Sequence, residues 1–168
     1  MKNNFSDIER YIDLASMYEY CKGILQDISK KYIDIENKRL ITIIRNSYNK
    51  NILNSYFVIG HLPQYIINSI DSKTVILKFS IDSLLKNIIE HPEITLKEYE
   101  AISKYILNAE YIFLKNKKNL IYFKIADNIY QFVIKSTQNK QENFLTTFHK
   151  ASGKQLEKDL KRYKQIKK

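Results

Sequence analysis

Four short runs of aromatic and β-branched residues near the end of the chain constrain the fold more than any other feature. They read EYIFLK (110–115), NLIYFKI (119–125), IYQFVIKST (129–137) and NFLTTFH (143–149), with polar segments between them. Such residues favour strands, and short polar connections join strands that are neighbours in space. These runs therefore predict a four-stranded antiparallel meander.

The chain before the meander predicts mainly helices. Apolar residues recur every three to four positions from Ser6 to Tyr32, and again from about Glu36 to Ile59, as they do in amphipathic helices. Only the segment SKTVILKF (72–79) alternates like a short strand.

Two further helices are predicted between this short strand and the meander. The first begins after Ser80 and ends at His91, because Pro92 disfavours helical backbone in the residue before it. The second begins at a capping box formed by Thr95 and Glu98. Two short helices with defined ends are therefore predicted directly before the sheet.

The last segment, SGKQLEKDLKRYKQIKK, predicts a basic helix that begins after Ser152. The predicted fold class is therefore α+β, with N-terminal helices followed by a four-stranded antiparallel sheet and a C-terminal basic helix. We divide the chain into a helical N-terminal region, residues 1–70, and an α+β domain, residues 71–168.

The positive charge is concentrated in the last third of the chain. The protein has 168 residues and a net charge of +10, and residues 115–168 hold 14 Lys and Arg against 4 Asp and Glu. This asymmetry favours a phosphate backbone or an anionic membrane surface as a partner. A solvated lysine-rich face is the simpler alternative.

Several classes of protein are not expected from this sequence. Its single cysteine, Cys21, allows no internal disulfide and has the spacing of a core residue. The sequence has no phosphate-binding glycine loop, and its His, Cys and carboxylate residues do not cluster at the spacing of metal ligands. We therefore expect no metal site and no cofactor. No apolar run is long enough to cross a bilayer, so we expect a cytoplasmic protein, and delivery with a phage particle stays open. Of the two anionic partners we expect nucleic acid and no membrane.

Residues 72–152 resemble a known nuclease superfamily. The order of KFSIDSLLKNIIEHPEITLKEYEAISKYILNAEYI (78–112), the meander and NFLTTFHKAS (143–152) is similar to phage-type members of the barnase/EndoU/colicin/RelE-like nucleases. The resemblance implies that residues 71–168 form a metal-independent endonuclease domain that acts on RNA and is deployed as a toxin. It also implies RNA and an immunity or antitoxin protein as partners. Residues 1–70 could bind that protein, deliver the domain or form a dimer.

The last run of the meander offers groups for this chemistry. RNA cleavage without a metal requires a base for the 2′-hydroxyl, an acid for the 5′-oxygen, and donors or cations near phosphorus. Strict alternation puts Leu145, Thr147 and His149 on one face of the strand, and Thr146 on the other between two phenylalanines. We therefore predict that Thr147 and His149 are functional and that Thr146 is a packing residue.

Three other residues complete the predicted catalytic set. Lys86 and His91 match the lysine and histidine of a serine-started helix in the resemblance, although a helix dipole alone also favours histidine at that end. Lys135 shares a face of its strand with Gln131 and Val133, where a lysine also commonly prevents aggregation. We predict that six other basic residues contact nucleic acid: Lys124, Lys150, Lys154, Lys158, Lys161 and Arg162.

Two other functions stay open at this point. The protein could bind nucleic acid without cleaving it, with tyrosines stacking on bases, although most aromatic residues here have core spacing. It could also be a degenerate nuclease fold that serves as a protein-interaction module.

Overall fold

The structure, a computed structural model, describes residues 14–167. The predicted helix start at Ser6 lies outside the described residues. The helices are α1 (Leu14–Ser29), α2 (Asn37–Ser47), α3 (Lys50–Leu53), α4 (Gln64–Ile70), α5 (Ile81–Glu90), α6 (Leu96–Glu100), α7 (Ile102–Ile106) and α8 (Gly153–Arg162). The strands are β1 (Tyr56–His61), β2 (Ile76–Ser80), β3 (Ala109–Lys115), β4 (Lys118–Ile125), β5 (Asn128–Ser136), β6 (Asn143–Ala151) and β7 (Gln165–Lys167).

One compact unit is helical and comprises the described residues from Leu14 to Phe57 together with Phe79–Glu100. Helix α5 contacts α1, α2 and α3, and α1 also contacts α6. The apolar stripe of α1 includes Cys21, which is fully buried, and burial raises the pKa of its thiol to about 12. Cys21 is therefore a core residue, as its spacing predicted, and its thiol is not reactive.

The predicted helix boundaries around α5 and α6 are confirmed. The Ser80 hydroxyl accepts a hydrogen bond from the Ser83 N–H at 3.1 Å, and the helix ends at Glu90, directly before His91. The Thr95 N–H donates to the Glu98 carboxylate at 2.8 Å, which is half of the reciprocal pairing that a capping box makes. The predicted second helix is interrupted at Ala101, so that α6 and α7 are separate.

The second compact unit contains most of the sheet and comprises Val58–Lys78 and Ala101–Lys168. The boundary predicted between residues 70 and 71 falls inside this unit. The order of strands is β1-β2-β6-β5-β4-β3-β7. Strands β3 to β6 form the predicted antiparallel meander, but β2 pairs in parallel with β6, and β7 pairs antiparallel with β3. The predicted four-stranded antiparallel sheet is therefore wrong, because the sheet is mixed and has seven strands.

The side chain of Asn143 explains how β2 joins the meander. Asn143 is fully buried at the start of β6, and its amide donates to the Thr74 carbonyl at 3.0 Å. Its side-chain oxygen accepts hydrogen bonds from the hydroxyls of Ser72 at 2.9 Å and Ser136 at 2.8 Å. A buried amide with these partners fixes the parallel pairing at this point. An asparagine beside a turn gives no such indication in the sequence.

The two outer strands arise from segments that were predicted to be helical. Tyr56–His61 continues the apolar run of α2 and α3 without a helix-breaking residue before Gly60, yet it forms strand β1. The C-terminal helix was predicted to cover the whole last segment, but α8 ends at Arg162. Gln165–Lys167 instead forms a strand that pairs with β3. A three-residue strand has too few positions to show alternation.

Each face of the meander carries an apolar cluster. On one face Phe123, Tyr130, Phe132 and Phe148 form a continuous aromatic stack, with ring centroids 4.8 Å apart for Phe132 and Phe148. The other face packs against helix α8, and we call it the α8 face. Its apolar cluster consists of Phe113, Leu120, Tyr122 and Leu156.

Among residues 14–167 no helix is both long and apolar enough to cross a membrane.

Candidate functional site

A β-bulge lies in the middle of β6 and determines which side chains reach each face. Val133 of β5 pairs with Thr147, whereas the next residue, Ile134, pairs with Leu145. Thr146 is thus the additional residue, and its hydroxyl donates to the Val133 carbonyl at 3.0 Å. A bulge leaves one residue outside the regular ladder, and here its own side chain completes the hydrogen bonding.

The bulge corrects the strict alternation that the sequence analysis assumed. Leu145 and Phe148 are both fully buried and both lie opposite core residues of β5, although they are three positions apart. Leu145 is therefore not on the face of Thr147, and Thr146 does not pack in the core between two phenylalanines. Thr147 and His149 do share a face, because both follow the bulge and are two residues apart.

Thr147 and His149 lie on the α8 face. His149 pairs with Gln131, and Thr147 with Val133, so each pair of side chains is adjacent across the strands. Along β6 the two Cα atoms are about 7 Å apart, which is two strand residues. Both side chains are half-buried. They can therefore contact the same ligand group while each stays partly accessible to solvent.

A polar pocket of about 280 Å³ adjoins Thr147. Strands β4, β5 and β6 form one wall, the β3–β4 hairpin forms the rim, and α8 forms the opposite wall. We call it the lysine-rimmed pocket, and its lining residues are Lys115, Asn116, Lys118, Leu120, Gln131, Val133, Thr147, Gln155 and Asp159.

A buried hydrogen-bond network lies at the α8 side of this pocket. The Tyr122 hydroxyl donates to Asp159 Oδ2, and the Gln131 amide donates to the Tyr122 oxygen. Gln155 also donates to Asp159 Oδ2, at 3.1 Å. Burial, and next the hydrogen bond to the Asp159 carboxylate, raise the pKa of Tyr122 well above its usual value. Tyr122 therefore keeps its proton, and the donor and acceptor roles in the network are fixed.

The β3–β4 hairpin carries the positive charge of the rim. Lys115 and Lys118 are directly paired across the strands, and the two turn residues between them, Asn116 and Lys117, have φ values of 47° and 63°. Like charges that are directly opposite destabilise a hairpin, and left-handed backbone costs energy in residues other than glycine. A bound anion would relieve the charge repulsion at this hairpin.

Tyr163, which follows α8, extends the polar environment of Lys115. The Lys115 ammonium lies 5.3 Å from the centre of the Tyr163 ring. Burial raises the pKa of the Tyr163 hydroxyl, but hydrogen bonds from Lys115 and Arg162 lower it by more, so that it is below its ordinary value. The phenol oxygen is thus held among cations.

Lys86 and His91 are in the helical unit, whereas Thr147, His149 and Lys135 are in the other. The Lys86 ammonium lies 3.8 Å from the Glu90 carboxylate, and His91 Nδ1 lies 3.6 Å from the Glu93 carboxylate. Each of these two residues therefore lies near a carboxylate of its own segment of the chain.

The remaining predicted residues are exposed and basic. Lys135 follows Gln131 and Val133 on one face of β5, and its register therefore puts it on the α8 face. Exposed side chains are also found at all six predicted nucleic-acid contacts: Lys124, Lys150, Lys154, Lys158, Lys161 and Arg162. Helix α8 also buries Leu156 and Asp159, so the helix has a structural role beyond its charge.

Of the residues that line the pocket, the sequence analysis predicted only Thr147 as functional. Lys115 was read as the last residue of a strand and Lys118 as part of the polar turn that follows, although three lysines within four residues of a hairpin are a visible signal. Gln155 and Asp159 are one helical turn apart on α8, but nothing in the sequence shows that this side of the helix meets Tyr122.

The described part of the chain contains no group of three or more His, Cys, Asp or Glu residues that could hold a metal ion. Comparison with known proteins found no matching family model, no matching curated protein and no matching solved structure. We therefore infer the function from the chemistry of this site.

Proposed function

We propose that the protein is a metal-independent endoribonuclease that cleaves at the α8 face. One observation carries the proposal: Thr147 and His149 share this face next to the lysine-rimmed pocket. A proton-transfer group, a hydroxyl donor and two cations thus lie within one region of the sheet.

These groups match the steps of cleavage by transesterification. His149 accepts the proton of the 2′-hydroxyl, and the resulting oxygen attacks phosphorus. The bond between phosphorus and the 5′-oxygen breaks, and the imidazolium returns the proton to the leaving oxygen. The products are a 2′,3′-cyclic phosphate and a 5′-hydroxyl. Thr147 and the lysines stabilise the charge that develops on the phosphoryl oxygens.

Binding of nucleic acid without cleavage is the second candidate. Residues 115–168 carry the whole net charge of +10, and the lysine rim adds to the exposed lysines of α8. This charge attracts a phosphate backbone whether or not a catalytic step follows.

Incubation of the full chain with total RNA in EDTA separates the candidates. Cleavage that persists in EDTA supports the proposed nuclease. RNA that is retarded on a gel but intact would contradict the nuclease and support the binding function. RNA that is neither bound nor cleaved would contradict both and support the protein-interaction module.

The lysine rim provides a quantitative prediction. We expect Lys115→Gln with Lys118→Gln to weaken binding of single-stranded RNA about 10-fold near 0.1 M salt. The salt slope of log K should become shallower by about 1.4, because each phosphate contact contributes about 0.7. Fluorescence anisotropy over a salt series measures both quantities.

The control for this pair is Lys38→Gln with Lys97→Gln, which removes the same charge from exposed helical positions. It should leave the slope within error of the wild type. Equal slopes for the two double variants would show that the rim makes no specific phosphate contact.

A further inference from the structure

We propose that Phe144 and the two lysines beside it form a stacking site for single-stranded nucleic acid, at the nucleotide next to the cleaved phosphate. This inference rests on the proposed function, because it identifies the path that the substrate follows away from His149. It is carried by the register of three strands, which places Lys135, Phe144 and Lys78 in one row across the sheet.

The row spans strands β5, β6 and β2. Lys135 of β5 pairs directly with Phe144 of β6, and Lys78 of β2 pairs with Phe144 on its other side. Residues that are paired across strands project to the same face of a sheet, so the aromatic side chain lies between two lysines. The Lys78 ammonium is 5.8 Å from the centre of the Phe144 ring. We call these three residues the Lys–Phe–Lys row.

The Lys–Phe–Lys row lies on the α8 face but is separate from the apolar cluster under the helix. Lys135 shares its face of β5 with Val133, which packs against that cluster. Phe144 does not belong to the cluster, and its side chain is half-buried. Part of the Phe144 ring is therefore accessible to a ligand on the face that also carries Thr147.

The spacing between the row and the proposed cleavage site matches one nucleotide. Val133 is opposite Thr147, Lys135 is opposite Phe144, and the two β5 residues are two positions apart. The row is therefore about 7 Å from Thr147 along the sheet. An extended strand of RNA advances by a similar distance with each nucleotide. A base next to the cleaved phosphate can thus reach the Phe144 ring.

The two lysines of the row have different electrostatic roles. The Lys78 ammonium lies 2.8 Å from the Glu142 carboxylate, which compensates its charge and holds it beside the ring. Lys135 is exposed and forms no ion pair with any described residue. Phe144 thus offers an apolar surface to a base, and Lys135 offers a cation to a phosphate. Sites for single-stranded nucleic acid combine these two features.

Tryptophan in place of Phe144 reports directly on stacking, because the chain contains no tryptophan of its own. We expect the fluorescence of Phe144→Trp to be quenched by oligodeoxythymidylate, which has no 2′-hydroxyl and stays intact. An abasic oligonucleotide of the same length should leave the fluorescence unchanged. Tyr32→Trp, at an exposed position of the helical unit, should respond to neither. Equal quenching by both oligonucleotides, or no quenching, would overturn the inference.

Two further variants keep the test independent of how the tryptophan fits. Phe144→Leu keeps an apolar side chain and removes the ring, so binding of oligodeoxythymidylate should weaken at least about 5-fold, near the lower end of what one stacked base contributes. Lys135→Gln should make the salt slope of log K shallower by about 0.7, for one lost phosphate contact. Fluorescence anisotropy with a labelled oligonucleotide measures both effects. Wild-type affinity in folded Phe144→Leu would contradict stacking on this ring.

RNA cleavage in EDTA separates this inference from the proposed function. Cleavage by the wild type, together with base-dependent quenching in Phe144→Trp, supports both. Cleavage without any quenching would overturn the stacking site and leave the nuclease intact. Base-dependent quenching in a protein that leaves RNA uncut would overturn the nuclease and support the stacking site.

Discussion

His149→Ala should reduce the rate of RNA cleavage by at least about 100-fold, the lower end of what general acid–base catalysis contributes. The side chain is half-buried on the α8 face, so its loss should lower the free energy of unfolding by no more than about 1 kcal/mol. Single-turnover cleavage in EDTA and thermal melting of the same samples measure the two effects.

His61→Ala is the matched control, because His61 is an exposed histidine at the end of β1. It should cleave RNA at the wild-type rate. If folded His149→Ala retains full activity while His91→Ala loses it, the catalytic histidine is in the helical unit and the proposed site is wrong.

The two adjacent threonines of β6 should respond in opposite ways to loss of the hydroxyl. Thr147→Val should lower the cleavage rate by about 100-fold, the scale of one hydrogen bond made in the transition state, with little change in melting temperature. Thr146→Val should leave the rate per folded molecule unchanged. It should lower the free energy of unfolding by about 1–3 kcal/mol, because the Val133 carbonyl loses its donor at the bulge.

Each threonine variant is the control for the other, since both remove one hydroxyl from the same strand. Measuring the rate and the melting temperature for both completes the comparison. An inactive Thr146→Val beside an active Thr147→Val would mean that the bulge, and not the α8 face, controls cleavage.

The meander and its turns could be predicted from the sequence because their signals are local. Aromatic and β-branched residues mark the strands, and Ser80, Thr95 and Ser152 mark helix starts that the structure confirms. These features depend on residues within a few positions of each other, so they can be predicted from a single sequence.

The outer strands β1 and β7, and the partner of β2, could not be predicted from local signals. Strand β2 was predicted as a short strand, but it pairs with β6 beside the buried Asn143, more than sixty residues away, and β7 is only three residues long. Tyr56–His61 has apolar residues that suit a helix equally well, so tertiary pairing decides its conformation.

The candidate site was predicted in part. Thr147 and His149 were placed on one face by alternation, and that placement holds because the bulge precedes both residues. The same alternation placed Leu145 on the wrong face, because the bulge at Thr146 interrupts the alternation. No residue type in the sequence indicates this bulge. Asp159 was missed because its role depends on Tyr122, a contact that no local pattern records.

The chemical nature of the RNA ends is the most direct test of cleavage at the α8 face. A defined RNA oligonucleotide and its DNA counterpart are incubated with the full chain in EDTA, and the products are analysed by mass spectrometry. We predict fragments with 2′,3′-cyclic phosphate and 5′-hydroxyl ends from RNA, intact DNA, and no such fragments from His149→Ala. Cleavage of the DNA oligonucleotide, or RNA fragments with 5′-phosphate ends, would contradict the mechanism, because neither product can form by attack of a 2′-hydroxyl.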